Sequence, residues 1–261
     1  MDDPSPEHPD AAASGRLAPT ALVLAASLAL TAWFCLGVLP QPDGSAAVAE
    51  RTVSIAEGDA TTVLASAPVA RPGIADAVDD AWVAATAAAT GVPPRALRAY
   101  AGAEIASARE APGCGIRWNT LAALGSIESA HGTHAGSSIG IDGVTRPGIF
   151  GIDLNGEASA RITDTDGGRW DGTPAVDRAV GPMQFIPATW ESWGADGNGD
   201  GVADPQQIDD AALAAARYLC HHGDLSDATR WRTAVLAYNH LDTYVDAIAN
   251  AANEYAARAA R

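Results

Sequence analysis

Residues 116–131 read Ile-Arg-Trp-Asn-Thr-Leu-Ala-Ala-Leu-Gly-Ser-Ile-Glu-Ser-Ala-His, and this stretch decides the fold class. Trp118, Leu121, Ala122, Leu124, Gly125 and Ile127 recur at helical spacing, and Gly132 offers a stop, so the segment is expected to be an amphipathic helix. Glu128 follows Gly125 by three and Leu121 by seven positions, which puts it at the edge of the apolar face. It also falls in the last turn, where the carbonyl end of the helix disfavours a negative charge. Burial and dipole both push its pKa upward, leaving a carboxyl able to donate a proton near neutral pH. Upstream, residues 76–90 are Ala-rich and helix-permissive. Val92-Pro93-Pro94 then opens a helix over 95–109 with Leu97, Tyr100, Ala101 and Ile105 on one face. Downstream, Pro187 opens a short helix. Asp204-Pro205 is read as an N-cap with proline at the first position of a helix over 205–221. Between them, 152–156 (Ile-Asp-Leu-Asn-Gly) reads as a strand entering a turn, so a small β lobe is expected within 136–178. The fold class is therefore mostly α, as α+β.

Composition bounds the compartment and the partners. The chain has 261 residues, with 32 acidic against 16 basic residues and a net charge of -16, and all of the basic residues are Arg. That balance argues against nucleic acid, whose phosphates are held by basic patches. Residues 17–42 carry no charge, and 21–39 are almost wholly apolar, about the length that spans a bilayer as a helix. We read 1–16 as a short cytoplasmic tail, 17–40 as a transmembrane signal-anchor, 41–75 as a flexible linker and 76–261 as the folded domain outside the membrane. The alternative is secretion after cleavage near Ala49, since Ala47-Val48-Ala49 has the small-x-small form. Arg16 is the single basic residue before the apolar run and orients it only weakly. Cys35 lies inside the run; the other two cysteines, Cys114 and Cys220, make a natural disulfide in an oxidising compartment, or else two buried thiols.

Two further clusters carry chemistry. Residues 179–193 (Ala-Val-Gly-Pro-Met-Gln-Phe-Ile-Pro-Ala-Thr-Trp-Glu-Ser-Trp) place the Gln184 amide between Met183 and Phe185 after a Gly181-Pro182 turn. Amides beside aromatic or thioether surface suit a sugar ring, although the same residues also suit a tight turn and core packing. Residues 234–240 end a helix on Tyr238 and Asn239, which either orient a carboxylic acid or cap the helix. Between these clusters, 196–201 (Asp-Gly-Asn-Gly-Asp-Gly) match the opening of a calcium loop. Asp196, Asn198 and Asp200 supply side-chain oxygens and Val202 its carbonyl, but position 12 is Gln207 rather than Glu.

Taken in order, Gly125-Ser126-Ile127-Glu128-Ser129, Gly181 through Trp190, Asp196 through Gly201 and Ala237-Tyr238-Asn239 resemble the membrane-bound lytic transglycosylases of the B type, the glycoside hydrolase family 103 pattern. The resemblance covers residues 92–244. It implies a lysozyme-like domain acting on the glycan strands of peptidoglycan, with Glu128 as the single catalytic carboxylate and no cofactor required for the chemistry. It further implies that Ser129, Met183, Gln184 and Phe185 line the subsites, that Tyr238 and Asn239 support Glu128 and the sugar, and that Asp210 completes a structural Ca²⁺ site. The reaction implied cleaves the β-1,4 bond between N-acetylmuramic acid and N-acetylglucosamine and leaves 1,6-anhydro ends. A second carboxylate, as ordinary glycosidases use, could come from Asp142, Asp153, Glu157, Asp164, Asp166, Asp171 or Asp177. The 136–178 segment is longer and richer in Gly and Asp than the resembling family leads us to expect. A hydrolytic muramidase on the same scaffold and a non-catalytic peptidoglycan-binding module are the rival functions.

Overall fold

The computed structural model describes residues 72–261 apart from 158–160. The expected tail, anchor helix and most of the linker lie outside the described residues; within them, no helix is long and apolar enough to cross a membrane. The fold is mostly helical with a small strand portion, in the order α1 (Asp80–Thr90), α2 (Pro94–Glu110), α3 (Trp118–Ser129), β1 (Ser138–Ile139), β2 (Thr145–Arg146), β3 (Phe150–Asp153), β4 (Arg178–Val180), α4 (Pro187–Trp193), α5 (Ile208–Cys220), α6 (Ala228–Tyr238) and α7 (Asp242–Ala259). A single 3-10 turn, Ile74–Ala77, precedes α1. It packs on α2, and the Ile74 amide donates to the Gly197 carbonyl at 2.8 Å. Packed structure therefore begins slightly before residue 76, inside what reads as linker.

The core is built around α5. Its alanines Ala211, Ala212, Ala214, Ala215 and Ala216 are all buried, and so are Ile208, Leu213 and Leu219. Such small side chains let neighbouring helices approach closely, and α2 packs along α5 while α3 packs between α2 and α7. Tyr100, Leu97, Leu121, Leu124, Trp190 and Ile248 fill the spaces between them and are shielded from solvent. Gly125 shows how tight the α2–α3 contact is: a Cβ there would lie 1.9 Å from the Tyr100 hydroxyl oxygen. Glycine inside a helix costs about 1 kcal/mol relative to alanine, a cost this packing imposes. At its start, α3 is tied to α2 by the Trp118 amide, which donates to Glu104 Oε2 at 2.6 Å.

The expected small β portion is present as two short antiparallel pairs, with the strand read at 152–156 beginning earlier and ending at Asp153. β1 pairs with β2, matching Ser138 to Arg146 and Ile139 to Thr145. β3 pairs with β4, matching Phe150 to Val180 and Asp153 to Arg178, with an irregularity between. The cysteines form the disulfide: Cys114 and Cys220 are bonded with Cα atoms 5.2 Å apart across a separation of 106 residues. It joins the loop after α2 to the last residue of α5.

Three local expectations are corrected. Helix α5 begins at Ile208, not at residue 205, because Gln207 is its cap: the Gln207 Oε1 accepts the amides of Asp209 and Asp210. Asp204 instead closes a turn, its Oδ1 accepting the Gln206 amide at 2.8 Å. Ile127 is 40% exposed, so it lies off the buried face that holds Leu121, Leu124 and Gly125. And α3 stops before Gly132, because Ala130 and His131 already adopt left-handed backbone with φ of 50° and 58°.

Candidate active site

Glu128 is the penultimate residue of α3 and is half-buried on the face turned toward α7. The hydroxyl of Tyr244, in the first turn of α7, donates to Glu128 Oε1. Burial pushes the Glu128 carboxyl up to about 7, and the Tyr244 hydrogen bond opposes part of that rise. At neutral pH the group is thus divided between acid and carboxylate, the condition for a residue that first gives a proton and then takes one. Tyr238 and Tyr244 are themselves pushed well above the ordinary phenol range, first by burial and then by the charge of Glu128, so both hydroxyls keep their protons.

A tight turn at 180–185 lies beside the acid. Val180 and Phe185 exchange backbone hydrogen bonds of 2.8 and 3.0 Å across it. Gly181 is required there, since its φ is +77° and a Cβ would sit 1.7 Å from the Pro205 carbonyl oxygen. Two side chains fasten the turn. Ser129 Oγ donates to the Pro182 carbonyl at 2.6 Å and accepts the Gly132 amide at 2.8 Å. The Tyr238 hydroxyl donates to the Met183 carbonyl at 2.7 Å. Gln184 is half-buried with φ of 50°; its Nε2 donates to the Gly181 carbonyl at 2.9 Å, and its Oε1 faces Gly151 of β3.

These contacts redistribute the roles expected from sequence. Ser129, Met183 and Phe185 are buried and do not present side chains to a cleft. Ser129 ties α3 to the turn, Met183 offers its carbonyl to Tyr238, and Phe185 packs edge-on against Trp190 and Tyr238 at 5.4 and 5.8 Å. The apolar pair straddling Gln184 is buried because the turn rests on α4 and α6. Gln184 keeps partial access. Tyr238 serves the turn, and Asn239 is the residue that ends α6, its amide donating to the Val235 carbonyl at 3.2 Å. The direct partner of Glu128 is Tyr244, which sequence reasoning missed. In the chain Tyr244 heads the buried face Tyr244, Val245, Ile248 and Ala252, and nothing in that pattern distinguishes its hydroxyl from a core aromatic.

Six of the seven carboxylates that might have acted with Glu128 have partners of their own. Asp142 pairs with Arg146 at 2.7 Å and Asp153 with Arg178 at 3.6 Å. Asp171 accepts the amides of Thr173 and Arg178, and Asp177 accepts both the amide and hydroxyl of Thr165. Asp164 and Asp166 bind the amides of Gly167, Gly168 and Trp170. Glu157 is exposed beyond β3.

The acidic loop after α4 folds around its own amides. Asp196 accepts from Gly199 and Gly201 at 2.8 and 3.0 Å, and Asp200 accepts from Val202 at 2.8 Å and from the Asn198 side chain at 2.8 Å. Asp210, fully buried on α5, accepts the amides of Gly197, Asn198 and Asp204. Burial and the nearby Asp196 charge raise its carboxyl to about 7 despite these donors. Asp196, Asp200 and Asp210 thus spend their oxygens on amide hydrogens, and among the described residues the three acidic side chains whose oxygens all lie within 4.8 Å of one another are Asp164, Asp166 and Asp177. Gln207 is taken up by its capping role.

Comparison with curated proteins and with solved structures gave no match. Among protein-family models, the match covers 92 residues, 168–259, the stretch that holds the 180–185 turn, the acidic loop, Tyr238 and Tyr244. Glu128 lies N-terminal to it and is joined to it by the bonds of Ser129 and Tyr244. The matching model is the Transglycosylase SLT domain, and this similarity supports a relationship of the 168–259 segment to lysozyme-like lytic transglycosylases.

Proposed function

We propose that this chain is a peptidoglycan lytic transglycosylase of the membrane-bound B type, held at the cell membrane by residues 17–40 with its catalytic domain outside. The observation that carries the reading is a single half-buried acid, Glu128, raised to about 7 and held by Tyr244 of the segment similar to transglycosylase domains. As the acid, Glu128 gives its proton to the glycosidic oxygen between N-acetylmuramic acid and N-acetylglucosamine, and the C1–O bond breaks. The 2-acetamido oxygen of the muramic residue holds C1 in the interval. The Glu128 carboxylate, now stabilised by the Tyr244 hydroxyl, takes the proton of the C6 hydroxyl. O6 closes onto C1 and displaces the acetamido oxygen, giving the 1,6-anhydro end without consuming water. One carboxyl serves both steps. Gln184, with its partial access in the turn that Ser129 fastens to α3, is the candidate for sugar contact.

Asp196, Asn198, Asp200, the Val202 carbonyl and Asp210 are the residues that would hold Ca²⁺. Bound there, the ion would supply charge that fixes the loop to α5 and would take no part in the reaction.

The test is digestion of purified sacculi by the full chain, with mass spectrometry of the released muropeptides. Anhydro ends are expected. Reducing ends would make the protein a hydrolytic muramidase, and binding without release would make it a binding module.

A further inference from the structure

We propose that His131 is a positioning residue for Glu128, clasping α2 to α7 behind the acid. The inference rests on the reading of Glu128 as the acid, and on geometry that reading does not use. His131 is 8% exposed and lies three residues beyond Glu128. Its Nδ1 stands 3.3 Å from the Tyr100 hydroxyl of α2, and its Nε2 stands 3.1 Å from the Tyr255 hydroxyl of α7. One ring thus spans two helices that approach α3 from different sides.

Each contact leads back to the acid. The Tyr100 hydroxyl fills the space that a side chain at Gly125 would need, one turn before Glu128. Tyr255 and Tyr244 both belong to α7, eleven residues and about 16 Å apart along the helix axis. Helix α7 is tied to the α3 region by Tyr255 on His131, by the Asn119 side-chain amide on the Ala252 carbonyl at 3.0 Å and by Tyr244 on Glu128. Without the His131 tie the end of α7 that carries Tyr255 loosens, and water gains access toward Glu128.

The backbone gives the same indication. Ala130, His131 and Gly132 have φ of 50°, 58° and 80°, three consecutive left-handed residues of which only one is glycine. Left-handed backbone is costly for side-chain-bearing residues and persists where the surroundings over-determine it. Here the His131 amide returns to the Gly125 carbonyl at 2.8 Å and the ring is fixed on both nitrogens. Burial holds the imidazole down to about 4, so it is neutral in use, with one nitrogen donating and the other accepting. Both phenols can complement either tautomer.

A histidine that merely fills the core would affect stability alone; a positioning residue also alters the acid. The full chain, labelled with ¹³C at glutamate carboxyls, is titrated by NMR as parent, His131→Phe and Tyr255→Phe. Parent Glu128 is expected to titrate near 7. In His131→Phe, which keeps a ring but loses both hydrogen bonds, the midpoint should fall toward the ordinary carboxylate range as water reaches the acid. Turnover of sacculi should fall roughly ten- to a hundredfold in kcat, with KM nearly unchanged, the scale of a small misplacement of a reacting group. Tyr255→Phe should move both quantities the same way without touching the left-handed backbone, and the double variant should add little to His131→Phe. Tyr255→Phe also carries the test alone if His131→Phe does not fold. Variants that melt lower yet leave the Glu128 midpoint unmoved would overturn the proposal. A parent that titrates near 7 and shifts as expected, but turns over no glycan, would overturn the functional reading and leave the clasp standing.

Discussion

Replacing Glu128 by Gln should make the protein more stable at alkaline pH while destroying its activity. The folded pKa of about 7 lies above the ordinary 4.5, so between these values the folded state binds more protons than the unfolded chain. Stability contributed by this group is full below pH 4.5 and is lost as pH rises to 7; beyond 7 the group carries its whole penalty. A gap of about 2.5 units corresponds to about 3 kcal/mol. Glutamine has the same shape, can still accept from Tyr244 and has no charge to desolvate. At pH 8 the variant should therefore exceed the parent by about 3 kcal/mol, which for a domain of this size raises Tm by roughly 6–12 °C. At pH 4 the two should melt together, and groups common to both proteins cancel in the comparison. Activity should drop about 10²–10⁴-fold, the range for loss of a general acid–base residue. The assay is thermal unfolding followed by circular dichroism at both pH values, with sacculus digestion in parallel. A variant no more stable than the parent at pH 8 would refute the claim that burial raises this carboxyl, and near-normal turnover would refute its role.

Further outcomes follow from the same contacts. Tyr244→Phe removes the donor that favours the carboxylate, so the alkaline limb of kcat/KM should move to higher pH and kcat should fall about tenfold or more; a limb that stays put or moves down would contradict the hydrogen bond's role. A non-reducing peptide map of exported protein should show Cys114 linked to Cys220, and replacing both by Ser should cost about 2–5 kcal/mol in denaturant melts; free thiols in the exported material would contradict the linkage. Millimolar Ca²⁺ should raise Tm, by about 2.7 kcal/mol of stability at a hundredfold excess over Kd, and Mg²⁺ should do less. Asp200→Ala should abolish that shift; a shift that survives would place the ion instead at Asp164, Asp166 and Asp177, whose oxygens lie within 4.8 Å of one another.

Helical period was enough to find α2 and α3, because their buried residues repeat without interruption: Leu97, Tyr100 and Ala101 in one, Leu121, Leu124 and Gly125 in the other. The cysteine count was enough for the disulfide, since only two thiols lie in the folded domain. Glu128 stood at the edge of an apolar face in a last turn, where a helical Glu is most often a solvated surface group, and the resemblance to lytic transglycosylases, rather than that position, singled it out as the acid. What sequence could not distribute was depth. Met183 and Phe185 flank Gln184 symmetrically in the chain, yet the reversal at Gly181 turns both into the core and leaves Gln184 at φ of 50° with partial access. Caps posed the same difficulty. Asp204-Pro205 has the better capping signature, but Gln207 wins because Asp204 is already occupied by the Gln206 amide and its own amide by Asp210. Tyr244 was illegible for a further reason: its partner is 116 positions away, and only the packing of α7 on α3 brings them together.

The features that local rules disfavour are concentrated between residues 125 and 132. A glycine sits inside a helix, a carboxyl sits at the negative end of the helix dipole, two side-chain-bearing residues take left-handed backbone, and an imidazole is buried. Elsewhere among the described residues such departures are scattered, as Gly102 inside α2 and the left-handed Ala135 and Gln184, while α1 and α6 are capped by Asp79 and Asp227, prolines open α2 and α4, and α5 alternates no polar group into the core except the acids of its first turn. Such a concentration is expected where a site is kept unrelaxed by its surroundings, since each local cost must be offset by packing from outside the segment. The offsets are identifiable: Tyr100 at Gly125, Tyr244 at Glu128, Pro182 at Ser129, and Tyr255 at His131. They come from α2, the 180–185 turn and α7, three elements that meet only in the finished fold. The acid can therefore be raised to about 7 only when the whole domain is assembled, and a fragment carrying α3 alone would return Glu128 to the ordinary carboxylate range.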